Sequence, residues 1–306
     1  MPLPARAACC VAIVFVVAAA PAARGQVSSA APAAGSTFAV GSAGPYAVTP
    51  RDEPIVSPAA GWDQLPADPP GWFGAVTLGI VRPHASGNLV GGPSLPFSSL
   101  DWTVLPRVEV GYRLPDGAGE FRLGYQYLPA SGSDQSAPGG LHTRLDLNAV
   151  DLDYLSTEWL VETPPDLLRG LRVITGVRLA TVDLRSSGPL WEFHSEMCGV
   201  GPRVGFEWSE LLPVRLPLGA YVRLEATGLA AETKQTIGFS AATPWQWSGA
   251  AAVLTEVGVS WWPVGPDRLH VIAGYQMEQW WNLGRTDLAN VDLSVHGLFV
   301  RAEWRY

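Results

Sequence analysis

From Gly71 onward, apolar and polar residues alternate along the chain in runs separated by Gly, Pro and Asp clusters. A period of two is the signature of a strand with one apolar face. Ten such runs can be traced, over 71–81, 104–114, 120–128, 141–156, 171–184, 196–208, 216–230, 249–262, 269–282 and 292–306. In the eighth run Ala251, Val253, Val257 and Val259 alternate with Ala252, Leu254, Glu256 and Gly258. In the last, Leu298, Val300, Ala302 and Trp304 share one face, and Phe299, Arg301, Glu303 and Arg305 the other. The runs exceed the roughly 5–6 residues of an ordinary globular strand and reach the roughly 9–11 residues that a tilted membrane strand needs. None reads as a strong amphipathic helix. The best helical candidate is the short stretch Asp166–Arg169.

Alternation fits two architectures. A soluble β-sandwich turns its apolar face to a core, and a membrane barrel turns it to lipid. Three features favour the barrel. The polar face is built from Arg and carboxylates with Gly between them, and the Arg fork suits fixed pairs in a crowded lumen. Aromatic residues gather near the run ends, at Trp72, Trp102, Trp159, Trp208, Trp261, Trp262, Trp280, Trp281 and Trp304, like the girdles of a membrane interface. The connections alternate in length: 82–103, 129–140, 185–195, 231–248 and 283–291 would lie outside, with 115–119, 157–170, 209–215 and 263–268 as the periplasmic turns. The turn 157–170 is long for its side and holds Pro164-Pro165. The expected fold class is therefore all-β: an antiparallel transmembrane β-barrel of about ten strands, with eight to twelve allowed by the boundaries.

The first 69 residues break the pattern. Arg6, the apolar stretch Cys9–Ala20 and the small residues of Ala23-Arg24-Gly25 fit a secretory signal peptide over 1–25. Residues 26–69 are rich in Ala, Pro, Ser and Gly without a period, a composition that cannot bury a core, and they read as a flexible leader. The barrel is assigned to 70–306. Without the signal peptide, which holds Cys9 and Cys10, the chain keeps one cysteine, Cys198, so no internal disulfide and no cysteine-based metal site is expected. The net charge of -8 argues against a nucleic-acid partner. Of the 20 cationic residues only Lys234 is a lysine, which again suits paired Arg more than a solvated surface.

The polar face of these runs carries Arg107, Glu109, Arg113, Arg122, Arg144, Asp146, Asp151, Asp153, Arg172, Arg178, Arg203, Glu207, Arg223, Glu225, Glu256, Glu278, Arg301, Glu303 and Arg305. These are the candidate lumen-lining residues. Gly111, Gly124, Gly176, Gly205, Gly219, Gly258 and Gly274 fall on the same face. Two functions follow. The preferred one is porin-like passive passage of small polar solutes through an Arg/acid-lined lumen. The alternative is a closed structural or surface-interaction barrel without conductance, because barrels of few strands are filled by their own side chains. A soluble secreted sandwich that binds a partner is a third. No Gly-x-Ser-x-Gly, His-Glu-x-x-His or calcium-loop motif is present, so no enzyme activity, cofactor or metal is expected. Leu95-Pro96-Phe97 and Trp245-Gln246-Trp247 mark loop tips expected to pack over the barrel mouth or anchor at the interface.

Two segments carry a family likeness. Arg144-Leu-Asp-Leu-Asn-Ala-Val-Asp-Leu-Asp-Tyr154 and Gly199-Val-Gly-Pro-Arg-Val-Gly-Phe-Glu-Trp208 resemble the Legionella-type major outer membrane protein family of pore-forming barrels. The resemblance covers 71–306 and implies location in the outer membrane of a diderm bacterium, porin activity and no catalytic residues. The C-terminal strand ending on Tyr306 likewise resembles the terminal signature read by the barrel-insertion machinery. Outer-membrane lipid and that machinery are the expected partners, with the oligomeric state open. Within 144–154 the parity of the polar residues changes at Ala149-Val150. A β-bulge there would keep Arg144, Asp146, Asp151 and Asp153 all inward. The other reading is a parity break where the strand leaves the membrane.

Overall fold

The computed structural model describes residues 70–115, 118–135, 140–156, 170–189, 191–212, 217–238, 242–263 and 269–306. The signal-peptide and leader segments, most of the 157–170 turn with Trp159, and the helical candidate 166–169 lie outside them. Ten strands form: β1 (Gly71–Leu89), β2 (Thr103–Arg113), β3 (Glu120–Asp134), β4 (Leu141–Ser156), β5 (Leu171–Gly188), β6 (Trp191–Leu211), β7 (Leu218–Ile237), β8 (Gln246–Trp261), β9 (Leu269–Trp281) and β10 (Ala289–Arg305). Each pairs antiparallel with its chain neighbours, and β1 closes on β10, so the sheet is a barrel without free lateral edges along its lower half. The closing ladder runs from Phe73↔Arg305 to Leu89↔Ala289.

The ten runs expected from the pattern are the ten strands. Several strands run further than expected, most of them towards one end of the barrel, and β6 also runs on at the other end, to Leu211 instead of 208. β1 reaches Leu89 instead of 81, β3 reaches Asp134 instead of 128, β6 begins at Trp191 instead of 196, and β7 reaches Ile237 instead of 230. The reason is in the faces. Below this level, at the end holding both chain termini of the barrel, apolar side chains point out: Trp72, Leu78 and Ile80 of β1, Val108 and Val110 of β2, Val150 and Leu152 of β4, and Leu298 and Val300 of β10 are all exposed. From Trp72 to Ile80 this belt measures about 27 Å along the strand at about 3.4 Å per residue. A usual tilt lowers its height to roughly 21 Å, close to the ≈ 25 Å apolar band of a membrane barrel.

Above the belt the alternation continues with its sign reversed. The outward positions become Arg82, His84 and Ser86 on β1, Asn148, Asp146 and Arg144 on β4, Asp183 and Arg185 on β5, His194 and Glu196 on β6, and His296, Ser294 and Asp292 on β10. The inward positions become apolar. Val81, Leu128, Leu145, Leu147, Val182, Leu184, Phe193, Leu229, Val291, Leu293 and Val295 form one buried cluster. This overturns the expected bulge in β4. Leu141–Ser156 pairs without an extra residue against both β3 and β5, so the parity change records a change of surroundings around an unbroken ladder. Two girdle assignments are corrected as well. Trp280 points inward and is fully buried in the upper cluster. Trp262 is buried and stacks on His270, with centroids 4.5 Å apart.

Candidate functional site: the barrel interior

Period-two alternation aims every second side chain of all ten strands at the axis, so the lower interior collects what the belt excludes. Among the described residues nine arginines point inward, at 107, 113, 122, 172, 178, 203, 223, 301 and 305, with nine carboxylates, Glu109, Glu120, Asp151, Asp153, Glu207, Glu225, Glu256, Glu278 and Glu303. Formal charge in this layer is balanced, as a low-dielectric enclosure requires. Arg178 holds Asp151 with both arms of its guanidinium at 2.7 and 3.0 Å and reaches Glu278 across the lumen at 2.9 Å. Arg203 bridges Asp151, Asp153 at 3.2 Å and Glu225. Glu109 takes Arg301 at 2.7 Å and lies 3.6 Å from both Arg122 and Arg223. Arg107 donates to Glu256 at 3.1 Å and to Gln126 at 2.7 Å, and Gln126 donates on to Glu278. Pairs thus span strands far apart in the chain, and side chains rather than backbone cross the lumen.

Glycines make the room. Gly111 of β2 lies under the ring of Phe73, and a Cβ there would collide with it. The ring in turn carries the Arg113 and Arg122 guanidinium groups 5.9 and 5.8 Å from its centre. Arg178, Arg203, Arg223 and Arg301 are each at most 2% exposed. Tyr221, Ile272 and Phe299 form a small buried apolar cluster within this layer.

The upper apolar cluster lies directly above this layer, and Arg178 is stacked 5.7 Å from Trp280 at the junction. The β1–β2 connection closes the mouth. Leu95 and Leu100 are buried in the cluster, and Phe97 packs edge-on against Phe193 at 5.6 Å. The Ser98 hydroxyl donates to the Gly132 carbonyl at 2.8 Å, and the Ser98 N–H donates to Thr143 at 2.9 Å. Leu95-Pro96-Phe97 is therefore a packed cap, one of the two roles expected of it.

Of the candidate lumen residues, Arg107, Glu109, Arg122, Arg172, Arg178, Arg203, Glu207, Arg223, Glu225, Glu256, Glu278, Arg301 and Glu303 all face the interior. Arg144 and Asp146 do not. They point outward above the belt, paired with each other at 2.8 Å, because at that height the exterior is the polar side. Glu120, Gln126 and Tyr221 were missed. The parity of Arg122 would have placed Glu120 and Gln126, while Tyr221 gave an aromatic signal on a polar face.

A second polar group stands on the upper outer wall. His194 Nε2 lies 3.3 Å from Asp183 and 3.4 Å from Glu196, and Arg185 grips Asp183 at 2.9 and 2.8 Å. Partial burial acts to raise the Asp183 pKa, but the His194 and Arg185 hydrogen bonds outweigh it and hold the carboxyl below its usual value. Cross-strand pairing of Arg185 with His194 and of Asp183 with Glu196 assembles the group. Within His194-Ser195-Glu196 the pleat turns Ser195 inward and its two neighbours outward.

An outward apolar belt around a charge-filled interior defines this chain as a closed, ten-stranded β-barrel of the outer-membrane type. The chain is similar to the outer membrane protease OmpT from Escherichia coli, at 11% identity and a TM-score of 0.46, over 77% of this chain and 96% of that one. It is similar to the translocator domain of the autotransporter NalP from Neisseria meningitidis, at 9% identity and a TM-score of 0.43, over 77% and 88%. It also resembles the Pseudomonas putida toluene transporter TodX, at 10% identity and a TM-score of 0.35, over 77% and 90%. No family model and no curated protein matches the chain.

Proposed function

We propose that the protein is a closed barrel of the bacterial outer membrane that does not conduct, and that it presents its upper strands and loops above the bilayer as an interaction surface. One observation carries this reading: two filled layers are stacked across the lumen. In the lower layer the guanidinium groups are buried among carboxylates, and in the upper layer Leu128, Leu145 and Leu147 are fully buried. Water and ions would have to displace both. The polar wall above the belt adds support, because strands that continue beyond the membrane on an apolar core form a rigid platform in water. We assign it no catalytic role, since the interior charges are committed to one another.

The porin-like function expected from the sequence, and implied by the likeness to the Legionella-type family, needs an open lumen between the same residues. Planar-bilayer recording on protein shown to be folded by its unboiled gel mobility separates the two. The expected result is a quiet bilayer. Discrete, salt-dependent steps from the unmodified chain would overturn the closed reading and restore the porin.

A further inference from the structure

The barrel wall is irregular along the seam between β1 and β2. β2 begins at Thr103, opposite Val81, so β1 beyond Val81 pairs with β10 but not with β2. Returning residues fill part of the gap: Leu95 donates to the Gly87 carbonyl, and Asp101 donates to the Ser131 carbonyl. Gly87 and Pro83 share a parity, so the Pro83 backbone also turns to the seam, where the missing N–H costs no ladder bond. What stays open is an external cleft of about 320 Å³ lined by Arg82, His84, Ser99, Leu100, Trp102 and His296.

The lining is chemically one-sided. Arg82 and His296 are direct partners in the β1–β10 ladder, and His84 follows two residues along on the same face. No carboxylate is among the lining residues. The contrast with the other outward arginines beside the upper strands is plain: Arg144 pairs with Asp146 and Arg185 with Asp183, whereas Arg82 has no ion-pair partner among the described residues. A cation set directly opposite an imidazole is unfavourable whenever the imidazole is charged, unless an anion lies between them. His296 is also pre-oriented. Its Nδ1 is 3.0 Å from the Tyr275 hydroxyl, which leaves Nε2 for a ligand, and Trp102 stands edge-on to its ring at 6.4 Å.

The height of the cleft selects the kind of anion. One pleat below Arg82 and His296 lie Ile80 and Leu298, the top of the apolar belt, 60% and 64% exposed. Val104 and Trp102 continue this apolar surface on the other side of the seam. A ligand that spans the step needs a negative head and an apolar tail. We propose that the β1–β2 seam is a binding site for one phosphate-bearing lipid, its phosphate held by Arg82, His84 and His296 and its chains lying along Ile80, Leu298 and Val104. An Arg fork and imidazole donors suit phosphate oxygens. The proposal rests on the barrel lying in a bilayer with its belt at Ile80, and it is independent of whether the lumen conducts.

The test uses the full folded barrel in zwitterionic micelles, with retained lipid read by native mass spectrometry. The probes are dioctanoyl phosphatidic acid, dioctanoyl phosphatidylcholine and inorganic phosphate. One phosphatidic acid should be retained at least tenfold more tightly than phosphatidylcholine, and inorganic phosphate should not displace it at equal concentration. Combined Arg82→Gln and His296→Gln should weaken retention at least tenfold, and Arg185→Gln should leave it unchanged. Trp102→Leu, which keeps every charge, should weaken it severalfold. Equal retention of the two lipids, or unchanged retention in the double variant with native gel mobility, would overturn the site. Displacement by inorganic phosphate would reassign it to a soluble anion and overturn the lipid. A protein that conducts yet retains phosphatidic acid would sink the closed reading and leave the seam site standing.

Discussion

The lower and upper halves of this barrel are the same ladder built with opposite chemistry. On β10, Leu298 and Val300 face out while Arg301 and Glu303 face in. A few residues earlier, Asp292 and Ser294 face out while Leu293 and Val295 face in. β4 makes the same exchange around Ala149. The backbone does not change between the two halves, and the register runs through. What changes is the solvent outside. Where the exterior is lipid, apolar residues belong outside and the interior can hold charge only as a balanced network. Where the exterior is water, the ordinary rule returns and the interior becomes an apolar core.

The contrast can be broken from either side. The largest effect is expected in the lower interior. Arg203→Ala would leave Asp151, Asp153 and Glu225 without a cation they now share. Removing one partner of such a buried pair costs about 3–5 kcal/mol. Urea unfolding in micelles should show that loss, and a midpoint within error of the parent would mean the layer is hydrated and open. In the upper interior, Leu147→Ala should cost about 2–5 kcal/mol by leaving a cavity. If the region above the belt were instead a lipid-facing wall around a polar lumen, that change would be close to neutral.

On the lower exterior, Val222→Arg places a cation against lipid, at about 2–4 kcal/mol near the midplane. It should reduce insertion into liposomes. Glu232→Arg, on the same face of β7 but above the belt, should insert normally, and equal defects would erase the boundary between the halves. The smallest effect concerns acid. Asp183 has a lowered pKa and lies on the upper wall, so its contribution to stability is fully present above the ordinary Asp value near 4. That contribution fades as pH falls from there towards the folded value. Asp183→Asn should flatten this part of the stability-versus-pH curve and lower stability at neutral pH, where the carboxylate contribution is fully present, while the two curves converge in acid.

The strand number, the closed antiparallel fold and most of the interior could be read from the chain because parity is a local property. Arg107, Arg178 and Glu303 needed only their neighbours to be placed. Arg144 and Asp146 could not be placed in this way. Their parity was legible, but the side that parity points to depends on the medium around the strand, and that is fixed by nine other strands. The bulge was inferred to keep all polar residues inside, an assumption that holds only within the apolar belt. The same limit shortened β1 at 81, because Arg82, His84 and Ser86 interrupt an apolar face without interrupting a strand. The fit between Arg and carboxylate partners was not legible at all, since Arg107 and Glu256 meet only after the barrel closes.

The unequal ladders have a kinetic consequence. The seam that joins the two ends of the barrel, β1 to β10, pairs 17 residues, whereas β2 and β3 pair 7. Closure of the ring is thus among the best-secured joints, and the short neighbour is the weakest. Amide exchange should be fastest along Arg107–Arg113 and Glu120–Gln126, and under load the wall should part there first, beside the cleft and away from the chain ends.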